Sequence, residues 1–398
     1  MNGMTRKLRR FLRMARGFGL WSTVVYSVQN RTGLYPALLP LHLRLTRRQI
    51  AEVRATGRTP LPRFLSIYPT WRCNLRCRMC HQEGRAEQAA KEEFTLDQFR
   101  GLLDGPNGRY VNSIRFLGGE AFVRPDFPEM MDLCDARGIS FIITTNGTFF
   151  TEEMVRRLEG YRNLGGIVLS LDGPEAIHNA IRRRPFAFEK LIEGVRRFRR
   201  KELLSFNSVI TAENIDQLEA LLDVAADLGV RRLGFNLEGY LSPADIEAST
   251  KAVRAWTGQE IDVGGNIHED GEPPAPLAKL EERCRAALAH AEQRGLEVSL
   301  EPRMFTRDLG LYVSGDTLGK GLICRDLTTQ PHCKVDPSGN VFPCEGIPTT
   351  FGNIFEESLP EIWNSSAYCE FRRRLANGLL PRCRRCCALI PAGKEPAG

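Results

Sequence analysis

Apolar residues recur along the chain with two rhythms. Between about residues 61 and 240, apolar runs of strand length alternate with segments whose apolar residues return every three or four positions. That alternation predicts βαβ units and a parallel sheet. Strands are expected at 64–68, 111–117, 139–145, 166–171, 204–210 and 232–237. Helices are expected at 95–103 with Thr95 as cap, then 126–137, 152–158, 188–199 and 214–228. Right-handed crossovers would curl the sheet and open all strand ends on one face.

The rhythm breaks outside this span. Residues 241–308 contain Gly264-Gly265, Pro273, Pro274 and Pro276, a linker-like acidic stretch, then a helical pattern at 277–294 and a strand pattern at 296–300. Cys284 falls on that helical pattern and is expected to be buried. At the other end, 4–18 reads as an amphipathic helix. Leu8, Phe11, Leu12, Ala15 and Phe18 recur on one side, with Arg6, Arg9, Arg10, Arg13 and Arg16 largely opposite. An apolar stretch with Trp21 and Tyr26 follows at 19–28, then a turn at 30–33, and Pro36 and Pro40 are expected to break up what comes next. Near the C-terminus, 335–341 reads as a hairpin turn between strand-like runs. The expected divisions are 1–60, a basic N-terminal extension; 61–245, the barrel; 246–320, a linker or insertion; and 321–390, a small cysteine-rich domain.

Composition adds little, and charge adds more. A chain of 398 residues with 42% hydrophobic and 26% charged residues is ordinary for a soluble globular protein. No run of 18 apolar residues predicts a spanning helix. The net charge of +7 is uneven: residues 1–60 carry twelve Lys or Arg and one acid, Glu52, so +11, which leaves −4 for the rest. The short apolar stretch without an A-x-A site fits a signal peptide poorly. A basic amphipathic segment with aromatics suits an anionic membrane surface, through residues 1–28, or an acidic partner; the plain alternative is packing on the protein itself. Nucleic acid is the weaker form of that partner.

Candidate chemistry centres on Cys73, Cys77 and Cys80, spaced C-x3-C-x2-C beside Arg72, Arg76 and Arg78. Three thiolates on one loop can hold three corners of a cubane cluster that normally takes four. The open iron can then accept a chelating small molecule. A zinc site, or buried structural thiols, is the alternative. Twelve cysteines in a large chain with no convincing signal peptide favour metal or cluster use over disulfides, and with it the cytoplasm, with the inner membrane face as a peripheral location.

The cysteine loop resembles the signature of the radical S-adenosylmethionine (SAM) superfamily. The resemblance implies a partial (β/α)6 TIM-like barrel and a [4Fe–4S] cluster whose open iron is chelated by SAM. It also implies reductive cleavage of SAM to a 5′-deoxyadenosyl radical. Gly118-Gly119-Glu120 resembles the family's GGE motif, with Ala121 where Pro is usual; there Glu120 would bind the SAM ammonium. Asn146 and Ser170 resemble positions lining the nucleoside. Arg182, in His178-Asn179-Ala180-Ile181-Arg182, would meet the SAM carboxylate, although Asn179 replaces an Asp.

A second group of cysteines lies near the C-terminus. Cys324, Cys344, Cys383 and Cys386 are candidate ligands, with Cys333 a rival of Cys324 and Cys387 of Cys386. With Gly352-Asn353-Ile354 and Ser358 to Trp363, the region resembles the SPASM family of auxiliary iron–sulfur domains, in the short twitch form with ligands for one further [4Fe–4S] cluster. A zinc ribbon is the alternative. The layout implies an enzyme that abstracts hydrogen from a small-molecule, sugar or lipid-linked substrate, for oxidation, epimerisation or rearrangement. It would draw electrons from a flavodoxin or ferredoxin. A peptide or protein maturase is the alternative, although residues 1–60 lack the three-strand pattern of a leader-binding winged helix. A non-enzymatic electron carrier is a distant third.

Overall fold

In the computed structural model, residues 35–80, 93–264, 266–267, 273–301 and 309–392 are described. The segments read as an amphipathic helix (4–18), an apolar stretch (19–28) and a turn (30–33) lie outside them.

Six strands run parallel in chain order: β1 (Phe64–Ile67), β2 (Ser113–Phe116), β3 (Ser140–Thr145), β4 (Leu164–Ser170), β5 (Leu204–Ile210) and β6 (Arg232–Leu237). Before them comes helix α1 (Tyr35–Thr56), and between them lie α2 (Leu96–Asp104), α3 (Phe127–Ala136), α4 (Glu152–Gly160), α5 (Glu175–Arg182), α6 (Ala187–Arg197) and α7 (Leu218–Asp227). Thr95 caps α2 through a capping box with Gln98. The α/β fold is the one expected, and it is consistent with a partial barrel.

Strands β3, β5 and β6 alternate strictly between buried and half-exposed residues. Strands buried on both faces read as continuous apolar runs. Here one face packs Ile114, Phe116, Phe141, Ile143, Leu169 and Phe206 into the main core. The register places Ser66, Arg115, Ile142, Ser170, Asn207 and Asn236 on the opposite face, which lines the barrel interior.

The sheet is wider than the six units predicted. After the two-residue strands β7 (Tyr240–Leu241) and β8 (Asn266–Ile267), strand β9 (Glu297–Glu301) pairs parallel to β6. It is reached through α8 (Pro243–Thr257) and α9 (Leu277–Gln293), the latter packed on α7. The stretch taken for linker thus adds a strand to the barrel. Two helices and the prolines between them hid the rhythm. Cys284 is buried on α9. Beyond α10 (Leu309–Ser314) and β10 (Leu322–Cys324) comes the short helix α11 (Arg325–Thr328); β11 (Cys333–Val335) then pairs parallel to β1. It turns through the predicted hairpin into β12 (Val341–Phe342). Asp336 Oδ1 accepts from the amides of Ser338 (2.9 Å) and Asn340 (2.8 Å), and Gly339 takes φ +90°. Helices α12 (Leu359–Trp363) and α13 (Ser366–Asn377), then β13 (Leu389–Pro391), complete the chain as described.

Pro36 and Pro40 do not break the chain: both lie within α1. Pro36 sits in the first turn, where its missing N–H is not needed. The helix packs on α13, and Gly57 ends it at φ +72°, where a Cβ would lie 1.8 Å from the Cys369 carbonyl. Arg372 donates to the Gly57 carbonyl (2.9 Å) and stacks on Tyr368 and Trp363, whose indole donates to Thr59 (2.8 Å). The chain therefore enters β1 clamped to the cysteine-rich unit. No helix among the described residues is long and apolar enough to cross a membrane.

Candidate active site

The loop after β1 carries Cys73, Cys77 and Cys80 on a frame of backbone bonds. The Cys80 amide donates to the Cys77 carbonyl (3.1 Å), and the Arg78 amide to Ile181 (3.0 Å). Arg72 forms a two-pronged pair with Glu93, both bonds 2.8 Å, and Arg124 donates to the Pro69 carbonyl (3.0 Å). Leu75 and Cys77 pack on Ala187 and Phe186. Cys73 and Cys80 are exposed, and Cys73 lies within electrostatic reach of both other thiols.

The predicted glycines face this loop. Gly119 and Glu120 donate their amides to the carbonyls of Thr70 (2.9 Å) and Arg72 (2.8 Å). A Cβ on Gly119 would stand 2.2 Å from the Arg72 carbonyl, and one on Gly118 2.4 Å from that of Thr70. Their smallness lets two backbones touch. Glu120 is buried and accepts from the Asn146 amide (2.8 Å), Thr145 Oγ1 (2.8 Å) and the Phe122 amide (3.3 Å). Burial lifts its carboxyl to about 7 against those donors. Asn146 Nδ2 donates to Asn74 Oδ1 (2.9 Å) and stands 4.0 Å from Cys73 Sγ. Ser170 is half-buried at the end of β4, on the interior face.

Arg182 joins this group from α5. Its guanidinium donates to Asp172 Oδ2 (2.6 Å) and, through Nη1, to Cys77 Sγ (3.4 Å). Burial opposes its charge, but Asp172 and Cys77 outweigh that and hold its pKa above the ordinary value. Asp172 is fully buried and also takes the Ser208 hydroxyl and the Val209 amide, each at 3.4 Å. His178 Nδ1 accepts from the Asp172 amide (3.2 Å), and burial beside Arg182 drops the ring to about 3, so it is a neutral support. Asn179 bonds the Pro185 carbonyl (2.8 Å) and the Phe188 amide (2.9 Å), closing the turn into α6.

The second thiol group forms from three separate places. Cys324 ends β10, Cys344 follows β12, and Cys383 and Cys386 precede β13; Cys324 lies within electrostatic reach of the other three. Arg382 Nη1 donates to Cys344 Sγ (3.6 Å) while its Nη2 holds the Gly264 carbonyl (3.2 Å). The Cys387 thiol, with Arg382 and the Ala388 amide (3.4 Å), lowers Cys386 below its ordinary value against the opposing burial. Cys333 is elsewhere. It pairs in register with Leu65 and is buried in the core with Trp363 and Tyr368. Among the described residues no three Cys, His or acidic side chains converge as they would on a single metal ion. The donor chemistry of both groups, all thiol with arginine alongside, suits an iron–sulfur cluster.

A polar network between the groups escaped the sequence reading. Lys334 is buried and bonds Glu345 (2.9 Å), with Asp326 at 3.7 Å. Burial would raise Glu345, yet Lys334 and the Tyr68 hydroxyl hold it at about 2. Arg325 pairs with Asp326 (3.1 Å). Arg115 donates to Thr144 Oγ1 from Nε and Nη2, each at 3.2 Å. The available signal was period two: Ser66, Arg115 and Lys334 occupy interior positions of three neighbouring strands.

Known proteins agree with this arrangement. The family model for the radical SAM superfamily matches residues 67–225, and that for the SPASM iron–sulfur cluster-binding domain matches 324–387. The chain is 25% identical to the AdoMet-dependent heme synthase of Methanosarcina barkeri, covering 77% of this chain and 84% of that one. It is 24% identical to the PqqA peptide cyclase of Xanthomonas campestris, covering 79% and 76%. Streptococcus suis SuiB bound to its precursor peptide SuiA superposes with a TM-score of 0.56 at 18% identity, over 89% of this chain and 80% of that one. Cofactors of this class are SAM, a SAM-binding [4Fe–4S] cluster and auxiliary iron–sulfur clusters. The chain belongs to the radical SAM superfamily and carries a C-terminal SPASM domain.

Proposed function

We propose that Cys73, Cys77 and Cys80 hold the cluster that binds SAM, and that hydrogen is abstracted from a small organic substrate lodged in the barrel interior. The observation that carries this reading is the convergence of the three-thiol loop, Glu120, Asn146 and Arg182 at the strand ends above a polar interior. The cluster and SAM supply one-electron cleavage and a primary carbon radical when bound. The chain's own residues do the rest. Arg182 donates to Cys77 Sγ and orients that thiol on the loop. Glu120 is placed to meet the ammonium of SAM, Ser170 a ribose hydroxyl, and Asn146 to orient Asn74 and the loop. Cys324, Cys344, Cys383 and Cys386 would hold a second cluster, which would supply an electron acceptor near the substrate, and a flavodoxin or ferredoxin would be the reductant.

Hydrogen abstraction from a ribosomal peptide is the second reading. The similarity to the PqqA peptide cyclase and the fold shared with peptide-bound SuiB favour it. Anaerobic reconstitution with dithionite and SAM tests the common core. The protein should release 5′-deoxyadenosine, and Cys77→Ala should release none. Wild-type protein that binds iron yet never cleaves SAM would return the electron-carrier alternative.

A further inference from the structure

Arg115 is the interior residue whose charge is least accounted for. It lies on β2, three residues before Gly118, so about 10 Å along the strand from the motif glycines at 3.3 Å per residue. Its neighbours are spoken for: Lys334 pairs with Glu345 and Asp326, and Arg325 with Asp326. Arg115 itself has only Thr144 Oγ1, bonded through Nε and Nη2. No carboxylate among the described residues forms an ion pair with it. Glu345, Asp326 and Cys387 feel its field from farther off, which places it toward the second thiol group. The residue nevertheless keeps some accessible surface on the interior face of the sheet. A guanidinium surrounded by protein without an ionic partner is costly unless something completes it. Thr144 occupies the Nε/Nη2 edge of the planar fork and leaves Nη1 and the second Nη2 hydrogen. A carboxylate fits that Nη1/Nη2 end in a forked geometry.

We propose that Arg115 anchors a carboxylate of the substrate, holding it between the two thiol groups. This rests on the reading above that the substrate lies in the barrel interior. A carboxylic acid metabolite and an acidic side chain of a peptide would present the same group. The anchor fixes where the reacting carbon sits beneath the SAM site, which is the positioning that hydrogen abstraction demands.

The test uses the reconstituted, SAM-loaded holoenzyme and propionate labelled with 13C at the carboxyl. Saturable broadening of its resonance is expected for the wild type. Arg115→Gln should weaken binding about tenfold, as loss of a charge-assisted hydrogen bond does, and Arg115→Lys should recover part of it. Iron content and SAM affinity should be unchanged in both, which separates anchoring from misfolding. Equal propionate binding by Arg115→Gln would overturn the proposal. So would a parallel fall in SAM affinity, since Arg115 would then serve SAM, or inorganic phosphate displacing propionate at lower concentration. Propionate binding measures no turnover, so it can succeed where SAM cleavage fails, and the reverse.

Discussion

The two thiol groups solve opposite problems. The first is local: three cysteines in eight residues, two of them exposed, with glycines from the next loop pressed against their backbone. If they hold a cluster as proposed, three thiols would leave one coordination position open. The second is assembled from residues 324 to 386, lies more deeply, and presents four thiols with Arg382 across them. A closed set of four suits electron storage; an open set of three suits binding and cleaving a ligand.

That contrast breaks most readily at the ligands. Cys324→Ala should lose about half the iron of a protein that binds about eight, two cubanes' worth. Cys333→Ala should keep all the iron and cost about 1 kcal/mol for a buried atom removed. Metal analysis with chemical denaturation reads both. Iron loss from Cys333→Ala but not Cys324→Ala would reverse the assignment.

The loop architecture gives the next largest effect. Gly119→Ala puts a methyl group against the Arg72 and Trp71 carbonyls, which must move. A displacement near 1 Å lowers rate by about 100-fold. SAM cleavage should fall by that order with the second cluster's iron retained. An unchanged rate would show that the cysteine loop does not depend on this contact.

These sites differed in how well the sequence exposed them. The first could be read directly, because its cysteines are neighbours in the chain and β1 fixes where the loop must emerge. The strands at 204–210 and 232–237 match their predicted limits, since alternation fixed them from within. What Gly118 and Gly119 touch could not be read: the sequence offered only the motif, and the structure shows the Thr70–Arg72 backbone against them. The proposed preference for Cys324 over Cys333 rests on the register of β11, which pairs Cys333 with Leu65. Arg115 and Lys334 went unnoticed because two charges on separate strands meet only when the strands pair.

A smaller effect sharpens the support of the first site. His178 is held neutral in the fold, down to about 3, while an unfolded histidine takes its proton near 6.5. Between those values the unfolded chain binds the extra proton. Stability is therefore full above pH 6.5 and falls as pH drops, by about 1.4 kcal/mol per unit from this group. His178→Asn, which can still accept from the Asp172 amide, should flatten that part of the profile in urea unfolding from pH 7 to 5. An identical slope in the variant would remove His178 from the account.

The open coordination position is the central claim, and electron paramagnetic resonance tests it most directly. In a Cys383→Ala, Cys386→Ala variant only the first cluster should remain. The signal of its reduced form should change when SAM is added, because the ligand reaches iron itself. A reduced cluster whose spectrum is identical with and without saturating SAM would contradict the account.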